Sequence, residues 1–429
     1  MGEEQRLGYE EMLARSRAEF ESVPDFTVAV EEEFSLLDPE TLDLVNRFEE
    51  LQEAAKGTDL EPHLVGELIA SEVEVRTGRC DTFSEAAALI GERRQQLRAL
   101  ADPRGFALGA TGTHPWSPWQ EQRIIDTPHY RRNDEILRYV VWRNNSFGIH
   151  VHVGINGADR AIRVCSALRN YLPELLALSA SSPFVEGAFT YLHSARTQIF
   201  TRMFPRCGIP DSLASWDEWE TYVRFLYETG SVTEHTQIWW SVRPHLAFPT
   251  VEIRICDAQP DLAESRALAA LCYALTARIA RAHDDGEPLP NLPNRLLEEN
   301  FWRAIRHGLA GELIDFARRE RVSARALDEG EPLPSWPHRL LEENLWRAIR
   351  HGLSGTLIDL AREEPVPARA RLEQLVDWVQ PVAEELGAAA WLALPERNAA
   401  ERQIVRHEEG ASMEEIFAEQ VRAQSVTAL

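Results

Sequence analysis

Four segments of the chain alternate between apolar and polar positions, and their polar positions hold an unusual set of groups. In Thr27–Ser35 the period-2 geometry of a strand places Val28, Val30, Glu32 and Phe34 on one face, with Ala29, Glu31, Glu33 and Ser35 on the other. In Glu67–Thr77, Val73 and Val75 point one way while Glu72, Glu74 and Arg76 point the other. Gly148–Gly154 sets His150 and His152 against a face of β-branched residues. Thr250–Asp257 sets Glu252, Arg254 and Cys256 against Val251, Ile253 and Ile255. Such patterns predict half-buried antiparallel strands, one face on a helical layer and one face open. Solvated faces usually mix Lys, Thr, Ser and Glu, yet none of these four segments contains a lysine. Two carboxylates about 7 Å apart on one strand face repel unless something positive lies between them. Together the polar faces predict an acidic, histidine-bearing surface that binds metal and an anionic substrate. For the first segment taken alone, a solvated acidic edge fits as well.

The remaining pattern is mostly helical. Residues 8–20 read as a helix or a loose amphipathic lead-in. Asp81-Thr82-Phe83-Ser84 offers N-caps for a helix to about Leu100. Residues 158–179 carry a stripe at Ile162, Cys165, Leu168, Leu172 and Leu176, and 261–283 predict another long helix. Everything after about 284 reads as helical. Strands and helices follow no regular βαβ beat, so the class is α+β: an antiparallel sheet, helices on its apolar face and a helical C-terminal third. The expected organisation is a lead-in at 1–24 followed by a single catalytic domain at 25–429. Gly109–Trp116 is a glycine-rich turn without the lysine or spacing of a Walker A loop; a substrate-lining loop and a simple tight turn both fit it.

The helical third contains a tandem duplication. Residues 284–327 recur as 328–371, with 32 of 44 positions identical. Each copy reads as a Pro-rich linker, an amphipathic helix, a glycine stop at Gly308 or Gly352, and a second short helix. The first helix reads as amphipathic, its apolar stripe Leu297, Phe301, Ala304 and Ile305 in one copy and Leu341, Leu345, Ala348 and Ile349 in the other. Two copies are too few for a solenoid. One copy is expected to pack on the core, the other beside it or on a neighbouring subunit of a homo-oligomer, with a solvated, loosely ordered insertion as the alternative.

Composition narrows the partners. The 429 residues carry 45 Lys+Arg against 69 Asp+Glu, a formal charge of −24, which argues against nucleic acid or an anionic membrane. No apolar run reaches membrane-spanning length, and the charged N-terminus lacks a secretory apolar core. Five scattered cysteines form no CxxC or zinc spacing, so a cytoplasmic location is expected. Cys256, on the fourth polar face, is a candidate nucleophile or simple filler.

The segments VEEEFSLLDPET, ELIASEVEVRTG, GIHVHVGI, SASSPFVEG with SARTQIFTRMFPRCGIP, and WWSVRPHLAFPTVEIRICDA follow one another in order. Together they resemble the type-2 glutamate–cysteine ligases, also called carboxylate–amine ligases, relatives of glutamine synthetase. The resemblance implies a curved antiparallel sheet forming an active-site funnel with helices outside. It also implies ATP- and Mg²⁺-dependent joining of the glutamate γ-carboxylate to an amine, usually that of cysteine. By this resemblance Glu31, Glu33, Glu67, Glu74, His150 and Glu252 are metal ligands. Arg254 contacts the transferred phosphate, with Glu252 beside it as a catalytic group. Arg196, Arg202, Arg243, Asn144 and His152 contact ATP or substrates. Many relatives carry glutamine where this chain has Asn144, which leaves cysteine itself open as the acceptor.

Five carboxylates and one imidazole are too many for one octahedral Mg²⁺ and suit two or three ions bridged by ATP phosphates. The implied route is a γ-glutamyl phosphate attacked by the amine, releasing ADP and phosphate, with no nucleophilic side chain. A metal-dependent hydrolase using the same cluster, or a non-catalytic binding protein on a ligase fold, are the competing expectations.

Overall fold

The four alternating segments pair with one another. The computed structural model describes residues 3–289, 312–315, 320–323, 347, 349–351, 353, 356–359 and 364–426. Strand β1 (Val28–Leu37) runs through the middle of a seven-stranded antiparallel sheet. On one side it pairs with β3 (Glu72–Arg76), which pairs in turn with β2 (Leu64–Gly66) at the edge. On the other side it pairs with β5 (Ile149–Gly154), followed by β7 (Thr250–Ile253) and β6 (Val242–Pro244). A short β4 (Ala107–Gly109) extends the pairing at Ser35–Leu37.

Register carries the chemistry. Glu31 stands opposite both His150 and Arg76, Glu33 opposite Glu74, and Glu252 opposite both His152 and Arg243. A one-residue slip would send every one of these groups into the core, so the apolar alternation fixes the polar site.

The other face is the core. Val28, Val30, Val151, Val153, Val251 and Ile253 are buried in one cluster with residues of α2 (Phe83–Ala101), α4 (Ala158–Leu168) and α7 (Leu262–Asp284). Each such side chain contributes about 1.5–3 kcal/mol on full burial. Thr82 caps α2 by accepting from the Glu85 amide, and Asp261 caps α7 by accepting from the Ala263 amide. Glu32 falls on this core face and is neutralised there by Arg94 of α2, at 2.6 and 3.0 Å. Arg94 also donates to the Gln259 carbonyl and Ser265 Oγ, tying β1, α2 and the start of α7 together.

The lead-in helix α1 (Glu3–Phe20) joins the same core. Leu13 and Phe20 are fully buried, and Phe20 packs on Trp216 of α6 (Trp216–Glu228) with ring centroids 5.1 Å apart. The stripe at 158–179 is real but broken. A 3₁₀ turn at Arg169–Tyr171 separates α4 from a second helix, Leu172–Ser179. Pro173 explains the break, since its ring is tolerated only in a first turn.

The C-terminal third is helical in α8 (Ala368–Glu385), α9 (Ala399–Glu408) and α10 (Met413–Val426). The duplicated segments depart from a purely helical reading. Where a second short helix was expected, each copy forms a β-hairpin, Glu312–Asp315 with Glu320–Ser323 and Thr356–Asp359 with Glu364–Pro367. Four-residue runs such as Glu-Leu-Ile-Asp are too short to settle as isolated helices, and they pair instead. Leu297, Phe301, Ala304 and Ile305 of the first copy, Leu341, Leu345 and Ala348 of the second, and both glycine stops lie outside the described residues. Ile349 and Leu353 of the second copy are buried in the main core. The Ile349 carbonyl accepts from the amides of His193 (2.5 Å) and Ser194 (3.2 Å). Among the described residues no helix is long and apolar enough to cross a membrane.

Candidate active site

The polar face of the sheet lines a single cleft. Glu31, Glu33, Glu67, Glu74, His150, Glu252, Arg254, Arg243, Arg196 and Asn144 all border it. His152 sits beside them, its Nε2 at 3.4 Å from Glu31 and 3.8 Å from Glu252. The backbone of Arg202 lies on α5 (Ala195–Met203), and its side chain is outside the described residues. Glu67 is not on a strand. It follows β2 in a turn, and β3 begins only at Glu72.

Three groups in this cleft bring ligand atoms within 4.8 Å of one another: Glu31, Glu74 and His150; Glu31, His152 and Glu252; and Glu33, Glu67 and Glu74. The trios overlap at Glu31 and Glu74, so they form one continuous site rather than three. Its electrostatics are divided. Burial, reinforced by neighbouring Glu33, pushes the Glu67 carboxyl up to about 7. Burial and adjacent carboxylates also push Glu72 and Glu74 well above the usual range. Burial acts the same way on Glu31 and Glu252, but the neighbouring imidazole and guanidinium groups outweigh it. His152, His150 and Arg76 hold Glu31 well below the ordinary value, and Arg243, Arg254 and His152 do so for Glu252.

The donors fit divalent cations. The His152 Nε2 is buried without a hydrogen-bond partner among the described residues, and it faces two carboxylates. The Glu33, Glu67 and Glu74 trio offers oxygens alone, the ligand type Mg²⁺ prefers. Arg254 forms a close ion pair with Glu252 and leaves its buried Nε unpartnered among the described residues. Arg243 donates to Glu252 at 2.6 Å and to the Ile238 carbonyl at 2.5 Å, so it fixes that glutamate's orientation.

The expected position of Cys256 on the polar face is wrong. Beyond the Ile253–Val151 pair, the next pairing is Asp257 with Gly148, so four steps on one strand face three on the other. That extra residue is a bulge, and it reverses the alternation. Ile255 and Cys256 are therefore both buried, and the Cys256 thiol lies against Cys272 in the core. The glycine-rich turn is likewise structural. His114 is buried, lies 2.8 Å from the Leu42 carbonyl through Nε2, and packs on Trp116 and Phe417 away from the cleft.

Several lining residues carried no assigned role in the sequence. Glu72 and Arg76 were placed on the polar face by alternation; Arg76 bridges Glu74 (2.5 Å) and Glu31 (3.2 Å). Phe200 and Phe204 follow Arg196 at helical four-residue spacing, which was a readable signal. Tyr130, Trp239, His245 and Phe248 also line the cleft, and nothing local marked them.

The family described as glutamate-cysteine ligase family 2 matches residues 27–333. A protein of Solibacter usitatus provisionally named glutamate–cysteine ligase 2 is 41% identical over 302 residues, covering 70% of this chain and 78% of its own. A similarly named protein of Rubrobacter xylanophilus is 43% identical over 305 residues, covering 71% and 82%. Among solved structures, a glutamate–cysteine ligase from Francisella tularensis in complex with AMP superposes with a TM-score of 0.63 at 13% identity. It spans 94% of this chain and 89% of that one. A bifunctional glutathione synthetase from Pasteurella multocida gives 0.61 at 13% identity, spanning 99% of this chain and 55% of that one. These two establish the fold alone; the sequence matches establish the kinship. On that evidence the chain is a ligase and belongs to glutamate-cysteine ligase family 2.

Proposed function

We propose that this protein joins the γ-carboxylate of glutamate to an amine, with cysteine as the reference acceptor, at the expense of ATP and through a γ-glutamyl phosphate. The observation that carries the reading is the continuous donor site of three overlapping trios with Arg254 at its edge. Glu31, Glu33, Glu67, Glu74, His150 and Glu252 would hold two or three Mg²⁺ ions. Bound there, the ions would neutralise phosphate oxygens and help align the transferred group.

The chain's own residues supply the rest. Arg254, with an unpartnered Nε, is suited to charge growing on the transferred phosphoryl group. Arg243 spends its hydrogen bonds on Glu252 and Ile238, so its part is to orient that carboxylate. Arg196, Arg202, Asn144 and His152 are the proposed substrate contacts. No cysteine lines the cleft among the described residues, and burial holds the thiols of Cys165 and Cys207 up at about 12. A cysteine nucleophile therefore has no candidate there among the described residues, which fits direct transfer of phosphate to the glutamate carboxylate. The amine then forms its bond to the acyl carbon as phosphate departs with the C–O electron pair.

ADP release tests the reading. With glutamate, ATP and Mg²⁺ present, release should require an amine and stop when Mg²⁺ is chelated. Phosphate or amide release without ATP consumption would favour the hydrolase instead.

A further inference from the structure

One side of the cleft is built on helix α3 (Pro128–Leu137) and a turn at 233–237 bonded to it. The helix starts where Thr127 accepts the Tyr130 amide and Pro128 takes the first turn. His129 and Asn133, one helical turn apart, border the cleft, as does Thr236 of the facing turn. Hydrogen bonds close these two elements into a ring. The Thr233 amide donates to Gln237 Oε1 at 2.8 Å, Gln237 Nε2 to Asn133 Oδ1 at 2.9 Å, and Asn133 Nδ2 to His129 Nε2 at 3.3 Å. His129 Nδ1 then lies 2.7 Å from Glu234 Oε2, and Glu234 Oε1 accepts from Arg132 at 3.1 Å.

The ring has a fixed direction. A backbone amide can only donate, so Gln237 receives with its oxygen and donates with its nitrogen, and Asn133 does the same. His129 Nε2 is therefore the accepting nitrogen, and Nδ1 carries the proton given to Glu234. The imidazole is neutral, with a lone pair at Nε2 and a carboxylate behind it. Among the described residues, Glu234, Arg132, His235 and the edge-on ring of Tyr130, 4.9 Å away, are the charged or titratable groups around it. The other cleft histidines are committed elsewhere. His245 Nδ1 accepts the amides of Ala247 and Phe248 at 3.2 and 3.0 Å, and His150 and His152 stand among the carboxylates of the donor site. Thr236 Oγ1 is buried without a partner among the described residues, so the turn beside His129 has hydrogen-bonding capacity to spare.

We infer that His129, backed by Glu234, is the general base that takes a proton from the ammonium group of the acceptor. This rests on the ligase reading above and deepens it, since a nitrogen attacks an acyl phosphate only through a free electron pair. The ammonium, a charged donor, displaces the long Asn133 contact at Nε2 and leaves a proton there. The freed pair forms the bond to the acyl carbon as the C–O bond breaks. A second nitrogen proton leaves with the phosphate, and the imidazolium returns its own to solvent. Glu234 stabilises the imidazolium while it lasts. Asn133 would then meet a donor with a donor, so the ring restores the neutral base after each turnover. The glutamates proposed as metal ligands would give their lone pairs to the ions, which leaves Glu72 as the competing base.

The test compares two nucleophiles for the same acyl phosphate, using the full chain with ATP, glutamate and Mg²⁺. Hydroxylamine is uncharged near neutral pH and needs no base, whereas L-cysteine presents an ammonium. At neutral pH His129→Gln should lower L-cysteine-dependent ADP release about 100-fold and barely change hydroxamate formation. Raising the pH should recover much of the L-cysteine rate, because alkali frees the amine without the imidazole. Glu234→Gln should lower the L-cysteine rate about tenfold, with the same sparing of hydroxylamine. An unchanged L-cysteine rate in His129→Gln, a loss that alkali does not relieve, or a parallel loss of both reactions in the two variants overturns the base while the ligase reading stands. Absence of both reactions from the parent protein overturns both.

Discussion

Carboxylates as crowded as Glu67, Glu72 and Glu74 resist ionising together, and that resistance is measurable. In the metal-free protein Glu67 titrates at about 7 against an ordinary value of 4.5. The folded state therefore holds a proton that the unfolded chain releases between those values. The associated stability is fully present below about 4.5 and is lost as pH rises through about 7. Glu67→Gln should match the parent melting temperature near pH 4.5 and exceed it at pH 8 without metal; equal melting temperatures at pH 8 would place the repulsion elsewhere. Substitutions at the other proposed ligands should separate by partner. Glu31→Gln, Glu74→Gln and Glu252→Gln should each abolish turnover. Glu74→Gln relieves repulsion, so its melting temperature should hold or rise. Glu252→Gln strands Arg243 and Arg254, so its melting temperature should fall. Near-normal turnover of these variants at saturating Mg²⁺ would remove them from the site.

At the scale of elements, legibility followed the period. Strands β1, β3, β5 and β7 were readable because one face of each is apolar and the other chemically odd, and alternation fixes which residue faces where. It failed where a bulge inserted one residue, and Cys256 went into the core. It also failed where pairing of short runs decided the outcome, as in the two hairpins of the duplicated segments. The aromatic lining of the cleft was half legible. The four-residue spacing of Arg196, Phe200 and Phe204 is visible in the sequence, but Leu68, Val141 and Trp239 meet it only through tertiary packing. The duplication yields its own prediction. Ile349 of the second copy is buried and its carbonyl receives the amides at the start of α5, so this copy braces the helix that carries Arg196. Ile349→Asp should destabilise the protein by several kcal/mol, because it puts a carboxylate in place of a fully buried apolar side chain, while the equivalent Ile305→Asp in the first copy should cost little. Thermal unfolding of the two variants decides it, and an equal loss for both would mean that both copies are seated on the core.

The whole molecule works against its own field. A formal charge of −24 repels anions, the proposed ATP and glutamate among them, so their binding would rest on local cations. The chain has a single lysine, Lys56, paired with Glu53 on the surface. Among the described residues, every basic side chain lining the cleft other than histidine is an arginine: Arg76, Arg196, Arg243 and Arg254. Arginine stays charged at any working pH, so the proposed divalent cations would be the adjustable part of the site. The most direct test of that arrangement is interception with hydroxylamine. Supplied with ATP, glutamate and Mg²⁺, the protein should form a γ-glutamyl hydroxamate that requires all three, with one ADP released for each hydroxamate. Hydroxamate formed with AMP and pyrophosphate, or formed equally well after Mg²⁺ is chelated, would contradict it.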